Sequence, residues 1–158
     1  MSAGDNGKTF DLSGQHLSKN SVLIHLIGTL DELNSHLGLV KALLVEKERK
    51  DSCQFIEGIQ KNLMILMSAV SDPANNVYNF SDDITVLEKE IEKSSKLNEF
   101  VLPGKNVLEA QIQIARTVAR RAERLFTAAS EEKPLCPKAG AYLNRLSGYL
   151  FFLSQKET

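Results

Sequence analysis

Val22-Leu-Ile-His-Leu-Ile-Gly-Thr-Leu-Asp-Glu-Leu-Asn-Ser-His-Leu-Gly-Leu-Val-Lys-Ala-Leu-Leu44 decides the fold. Leu23, Leu26, Ile27, Leu30, Leu33, Leu37, Val40 and Leu44 recur at steps of three and four, which lays one apolar stripe along a helix. Such a stripe needs other helices to cover it, and the rest of the chain supplies them. Phe55, Ile59, Leu63, Leu66 and Val70 resume the period after the charge run Glu46-Lys-Glu-Arg-Lys-Asp51, and a second helix ends near Ser71-Asp-Pro73. Residues 72–81 hold Pro73 and several Asn and read as a loop. Ser81-Asp-Asp-Ile then reads as an N-cap with acids in the first turn, opening a shorter third helix through Ile84, Leu87 and Ile91.

Pro103-Gly104 is a turn signal, with Phe100-Val-Leu as a short apolar lead into it. A fourth helix starts near Asn106 and runs through Leu108, Ile112, Ala115, Val118, Ala119, Ala122, Leu125 and Phe126. Pro134 to Pro137 separate it from a fifth, with Leu143, Leu146, Leu150 and Leu153 in register. No convincing alternating strand is found. The expected fold is all-α, a single domain over 1–158: an antiparallel bundle of about five helices in which short loops make sequential helices neighbours. Residues 1–20, rich in Gly, Asn, Asp and Ser, precede it as a loop.

A chain of 158 residues is long enough to bury its own core. With 42% hydrophobic and 25% charged residues, and only 9 Gly and 4 Pro, it is neither disordered nor fibrous. Nineteen basic side chains against 20 acidic ones leave a net charge of -1, so no bulk field draws it to nucleic acid. Cys53 and Cys136 lie in no metal or redox spacing, which favours a reducing compartment. With no membrane-length apolar run and no signal-peptide pattern, a soluble, cytoplasmic protein without membrane or nucleic-acid partners is expected.

Gly7-Lys8-Thr9 invites a phosphate-loop reading, but that motif needs a glycine where Ser2 stands and a strand leading into it. What survives is a Gly-rich segment whose N–H groups and Lys8 could wrap phosphates. His25 and His36 share nearly one helix face, yet no Glu-x-x-His occurs, so they read as surface or interface histidines. Asn79-Phe-Ser81 matches a glycosylation sequon only by chance in a chain with no secretory signal.

The informative polar residues are on the fourth helix. Arg116, Arg120 and Glu123 form a charged stripe beside the small residues Ala115, Ala119 and Ala122, and Arg is the side chain suited to forked capture of carboxylate or phosphate. Asp31-Glu32-Asn34 interrupts the first apolar stripe and Asn144-Arg145 the fifth helix. Polar groups beside buried stripes need partners, which facing helices or a ligand could supply.

At these residues the chain resembles the PduO-type ATP:cob(I)alamin adenosyltransferases. The resemblance runs through Gly4-Asp-x-Gly-x-Thr9, then Gly28-Thr-Leu-Asp-Glu-Leu-Asn34-x-x-x-Gly38. It continues through Phe100-Val-Leu-Pro-Gly104 with Ala115-Arg-Thr-x-x-Arg-Arg-Ala-Glu-Arg124, and ends in Leu143-Asn-Arg-Leu-Ser147 followed by Tyr149-Leu-Phe151. It implies a ferritin-like five-helix bundle assembled as a homotrimer, with ATP and cobalamin bound as substrates between subunits and the N-terminal loop covering the ATP. It further implies phosphate contacts from Gly4, Asp5, Gly7 and Lys19, and contacts to ATP and its magnesium from Arg120, Glu123 and Asn144. Asp31 and Arg116 would form an intersubunit ion pair, and Phe100 a wedge beneath the corrin.

The chain departs from the family pattern at Met1-Ser2-Ala3, where Thr-Lys is usual, at Ser21 and Leu23, where Asp and Arg are usual, and at Gly148, where Asp is usual; the extension beyond the last helix is also absent. Two alternatives therefore stand beside the enzyme: a paralogue that carries cobalamin without ATP chemistry, and a ligand-free trimeric helical interaction protein.

Overall fold

The computed structural model describes residues 4–93 and 101–157. Five α-helices carry the fold: α1 (Val22–Glu46), α2 (Lys50–Ser71), α3 (Ser81–Glu92), α4 (Val107–Glu132) and α5 (Pro137–Lys156). A 3-10 turn at Pro73–Asn75 follows α2. Ser21 caps α1 by accepting the Ile24 N–H at 3.4 Å, and Leu23, Leu26, Leu30, Leu33, Leu37, Val40 and Leu44 are all buried, as the stripe predicts. Asn106 caps α4 through the Glu109 N–H at 2.9 Å.

The cap of α3 differs from expectation. Ser81 is the first helical residue, and Phe80 stands at the cap in a left-handed conformation with φ 58°. Its ring is 1% exposed and lies between Tyr78 and Tyr142, at centroid distances of 4.7 and 5.3 Å. Burying a phenyl ring is worth about 1.5–3 kcal/mol, which covers the roughly 1–2 kcal/mol cost of the left-handed backbone.

The segment read as a plain loop contains a hairpin, β1 (Lys8–Phe10) and β2 (His16–Ser18), antiparallel with Lys8 opposite Ser18 and Phe10 opposite His16. Three-residue strands are too short to show a period. The turn is closed by the Asp11 carboxylate, which accepts from the Ser13 hydroxyl at 2.6 Å and the Gln15 N–H at 2.9 Å. The Leu12 N–H donates to Ser71 Oγ at 2.9 Å and docks the hairpin on the end of α2.

Around the core α1 packs on α2 and α4, α4 on α5, and α3 on α5. His36 meets Gln111 and Glu32 meets Arg121, so α1 and α4 run antiparallel. Glu88 meets Arg145, and Ile91 lies beside Gly148, so α3 runs parallel to α5. The expectation that every sequential pair is an antiparallel neighbour therefore holds for α1–α2 and α4–α5 only. Among the described residues no helix is long and apolar enough to cross a membrane.

Candidate functional site

Two polar groups stand on different parts of this frame. The first is built on the hairpin. Gly4 and Gly7 have φ of +101° and +74°, backbone that glycine adopts without penalty. The Lys19 N–H donates to the Gly7 carbonyl at 2.9 Å, which folds residues 4–7 back across the strand end. A Cβ built on Gly4 would lie 3.3 Å from Lys19 Nζ, so the ammonium rests on this glycine. Asp5 is exposed between the two glycines.

Beside Lys19 opens a cavity of about 720 Å³ lined by Thr9, Phe10, Ile27, Gly28, Met64 and Met67 among others. It is larger than the cavity of about 490 Å³ over Tyr142 between α2, α3 and α5. Phe10 and Met64 are 57% and 61% exposed, costly apolar surface for a bare face. An apolar hollow with one lysine at its edge suits a planar heterocycle that carries anionic groups.

The second group is on α4 and α5. Arg120 Nη1 meets Glu123 Oε2 at 2.5 Å, and Asn144 Nδ2 donates to Glu123 Oε1 at 3.0 Å. Glu123 thereby orients an exposed guanidinium and an exposed amide toward the same side of the helix pair. Arg121, next in sequence, pairs with Glu32 and ties α4 to α1. Arg116 Nε donates to Gln113 Oε1 at 2.6 Å, while Gln113 Nε2 donates to Ser154 Oγ at 3.0 Å, so this arginine is held from α5 through a buried amide.

The structure thus brings Arg120, Glu123 and Asn144 together, and separately Gly4 and Lys19. No hydrogen bond or ion pair among the described residues joins Lys19 to Arg120, Glu123 or Asn144. Nor does any ion pair join Asp31, which is exposed, to Arg116. Phe100 and the departures at Met1, Ser2 and Ala3 lie outside the described residues. Two of the others have local reasons, since Ser21 is the α1 cap and Leu23 is buried; at Gly148 a Cβ would meet Ile91 Cδ1 at 3.4 Å, an ordinary contact, so packing does not explain the glycine.

For metal, no three His, Cys, Asp or Glu side chains gather into a cluster among the described residues. A lone carboxylate such as Glu123 fits a magnesium ion that arrives already held by phosphate oxygens, the usual way magnesium is bound. His25 pairs with Asn20 Oδ1 at 3.0 Å and His36 with Gln111 Nε2 at 2.6 Å.

Reading the sequence misses one buried polar residue at the start of α4, away from both groups. Glu109 is fully buried, and its Oε2 accepts the Gly104 and Lys105 N–H groups at 2.7 and 3.2 Å. The signal was present as Asn106-x-x-Glu109, a capping-box spacing.

The cobalamin adenosyltransferase family matches residues 1–157 of this chain. A corrinoid adenosyltransferase of Citrobacter freundii is 34% identical, over 98% of this chain and 91% of that protein. A cobalamin adenosyltransferase of Cupriavidus metallidurans is 36% identical, over 96% of this chain and 83% of its own length. Among solved structures, a variant PduO-type ATP:corrinoid adenosyltransferase from Lactobacillus reuteri, complexed with cobalamin and ATP, superposes with a TM-score of 0.90 at 27% identity. That match covers 98% of this chain and 90% of that one.

Proposed function

Because the chain belongs to the cobalamin adenosyltransferase family, we propose that it is an ATP:corrinoid adenosyltransferase, moving the 5′-deoxyadenosyl group of ATP onto a reduced corrinoid and releasing triphosphate. The cobalt electron pair attacks the ribose 5′ carbon, and the C–O bond to the triphosphate breaks with its electrons leaving on that oxygen. No side chain has to take a proton. The protein's task is to align the two substrates and to meet the charge of the leaving triphosphate.

The observation that carries the assignment is the Arg120–Glu123–Asn144 cluster. Glu123 holds the guanidinium and the amide in fixed orientation before any ligand arrives. Such preorganised donors stabilise developing anionic charge without the cost of reorienting. The apolar cavity beside Lys19 would take the nucleoside, with Gly4, Asp5, Gly7 and Lys19 along the phosphates and the hairpin covering them. Magnesium would sit on the triphosphate with Glu123 beside it. Since Lys19 and Arg120 stand on different parts of one chain, a homotrimer in which each site takes Lys19 from one copy and Arg120 from the next completes the set. Asp31 of one copy would then pair with Arg116 of its neighbour. Phe100 would stand beneath the corrin. The cytoplasm, with its reducing conditions, suits a reduced corrinoid and two free thiols.

Purified protein supplied with ATP, magnesium and chemically reduced cobalamin should yield adenosylcobalamin, read from its absorption spectrum. Arg120→Ala should lower the rate by about 10²-fold or more, the loss found when one preorganised charge-stabilising donor is removed. An unmodified protein without turnover overturns the assignment.

A further inference from the structure

Arg116 is held unlike the other arginines bonded within this chain. Arg49, Arg120, Arg121 and Arg145 each meet a carboxylate, of Glu157, Glu123, Glu32 and Glu88 respectively. Arg116 meets a neutral oxygen instead: its Nε donates to Gln113 Oε1 at 2.6 Å, and its Nη groups have no hydrogen-bond partner among the described residues. A planar guanidinium held at Nε is fixed in direction while its outer edge and its charge stay available. The residue is half-buried on α4, where an uncancelled charge is costly unless an acid comes to meet it.

The sense of the holding amide is set from the next helix. Ser154 of α5 is fully buried, and its hydroxyl proton goes to the Phe151 carbonyl at 2.7 Å, an atom that can only accept. Toward Gln113 the Ser154 oxygen is therefore the acceptor, and it takes Gln113 Nε2 at 3.0 Å. With its nitrogen bound there, the amide turns its oxygen to Arg116. Gln113 is only 4% exposed, and an apolar side chain of the same length would fill the space at lower cost if packing alone were needed.

We propose that Gln113 is a positioning residue for assembly of the site: Ser154 fixes the sense of its amide, and the amide aims the Arg116 guanidinium at Asp31 of the partner subunit. The inference rests on the trimer proposed above and deepens it by naming what orients one side of the contact. Asp31 suits the other side, being exposed and in no ion pair among the described residues. A loose arginine has to be ordered on association, and holding it beforehand removes that cost. Gln113 itself meets neither substrate nor partner; it acts through Arg116.

Sedimentation equilibrium over a range of protein concentrations tests this through a double-mutant cycle. Gln113→Met keeps the length of the side chain and removes both bonds; it should raise the concentration at which the trimer half-dissociates about tenfold or more. In an Asp31→Ala background the same change should shift that midpoint by less than about twofold, because the arginine no longer has an acid to meet. A substitution that merely loosened helix packing would act alike in both backgrounds. Ser154→Ala removes the oxygen that sets the amide and leaves Gln113 and Arg116 in place, so it decides the matter if Gln113→Met does not fold. It should raise the midpoint about threefold or more, again only with Asp31 present.

A Gln113→Met protein that assembles like the unmodified one, or an effect of equal size with and without Asp31, overturns the proposal, as does an indifferent Ser154→Ala protein. These outcomes leave the trimer standing. An unmodified protein that sediments as a monomer removes the trimer and the proposal together.

Discussion

Asp11 is a buried acid that the hairpin turn is built around. Burial alone would push its carboxyl up, but the hydrogen bond from Ser13, the Gln15 N–H and the charge of Lys133, 4.0 Å away, outweigh it and hold it below the usual 3.8. A group lowered on folding adds stability above its ordinary value and loses that stability as pH falls through the folded value. Asp11→Asn should therefore be less stable than the unmodified protein at pH 7, and the gap should close below about pH 4. Urea unfolding of both proteins at pH 7 and pH 3 measures this, and a gap of equal size at both pH values would refute it. The residue itself was not legible in the sequence. Its partners Ser13 and Gln15 are local, but Lys133 comes from the far end of α4. Arg120, Glu123 and Asn144 were legible because helical spacing alone puts the first two on one face, and the third lies in a polar break, Asn144-Arg145, of the fifth helix.

At the level of elements, the periodic helices could be read and the arrangement of the shorter pieces could not. α1 and α4 matched because seven or more buried positions each vote for one face. The hairpin strands have three residues apiece, and α3 is placed by the burial of Phe80, a tertiary fact. Where α4 meets α5 the approach is set by one missing side chain. A Cβ on Gly140 would lie 2.9 Å from Phe126 Cε1, and Phe126 is a rigid ring only 5% exposed. Overpacking costs about 1–3 kcal/mol, while alanine in place of glycine returns about 1 kcal/mol of helix propensity. Gly140→Ala should thus be neutral to destabilising by up to about 2 kcal/mol. Thermal melting reads it, and a rise in Tm would show that Phe126 yields freely. Because α5 carries Asn144 one turn further on, the same contact sets the height of that amide against Glu123.

For the whole molecule, the proposed trimer, in which Lys19 of one copy meets Arg120 of the next, would make assembly a condition of activity. Sedimentation should report a trimer at micromolar concentration. Asp31→Ala should weaken it by about 2–5 kcal/mol per interface if the pair with Arg116 is desolvated. A stable monomer that still forms adenosylcobalamin would show that one chain suffices.

The α1–α4 seam has a further consequence. Its ties, His36 to Gln111 and Glu32 to Arg121, close loops of 75 and 89 residues, whereas α1–α2 and α4–α5 are joined through short turns. Chain entropy therefore sets an order of events, with two local helical hairpins forming early and their docking coming last. A chain still emerging from the ribosome can complete the Lys19 half well before α4 exists, and this half spends that interval with its Leu stripe seeking cover. The apolar face of α1 is thus the surface on which folding inside a crowded cell is most exposed to error.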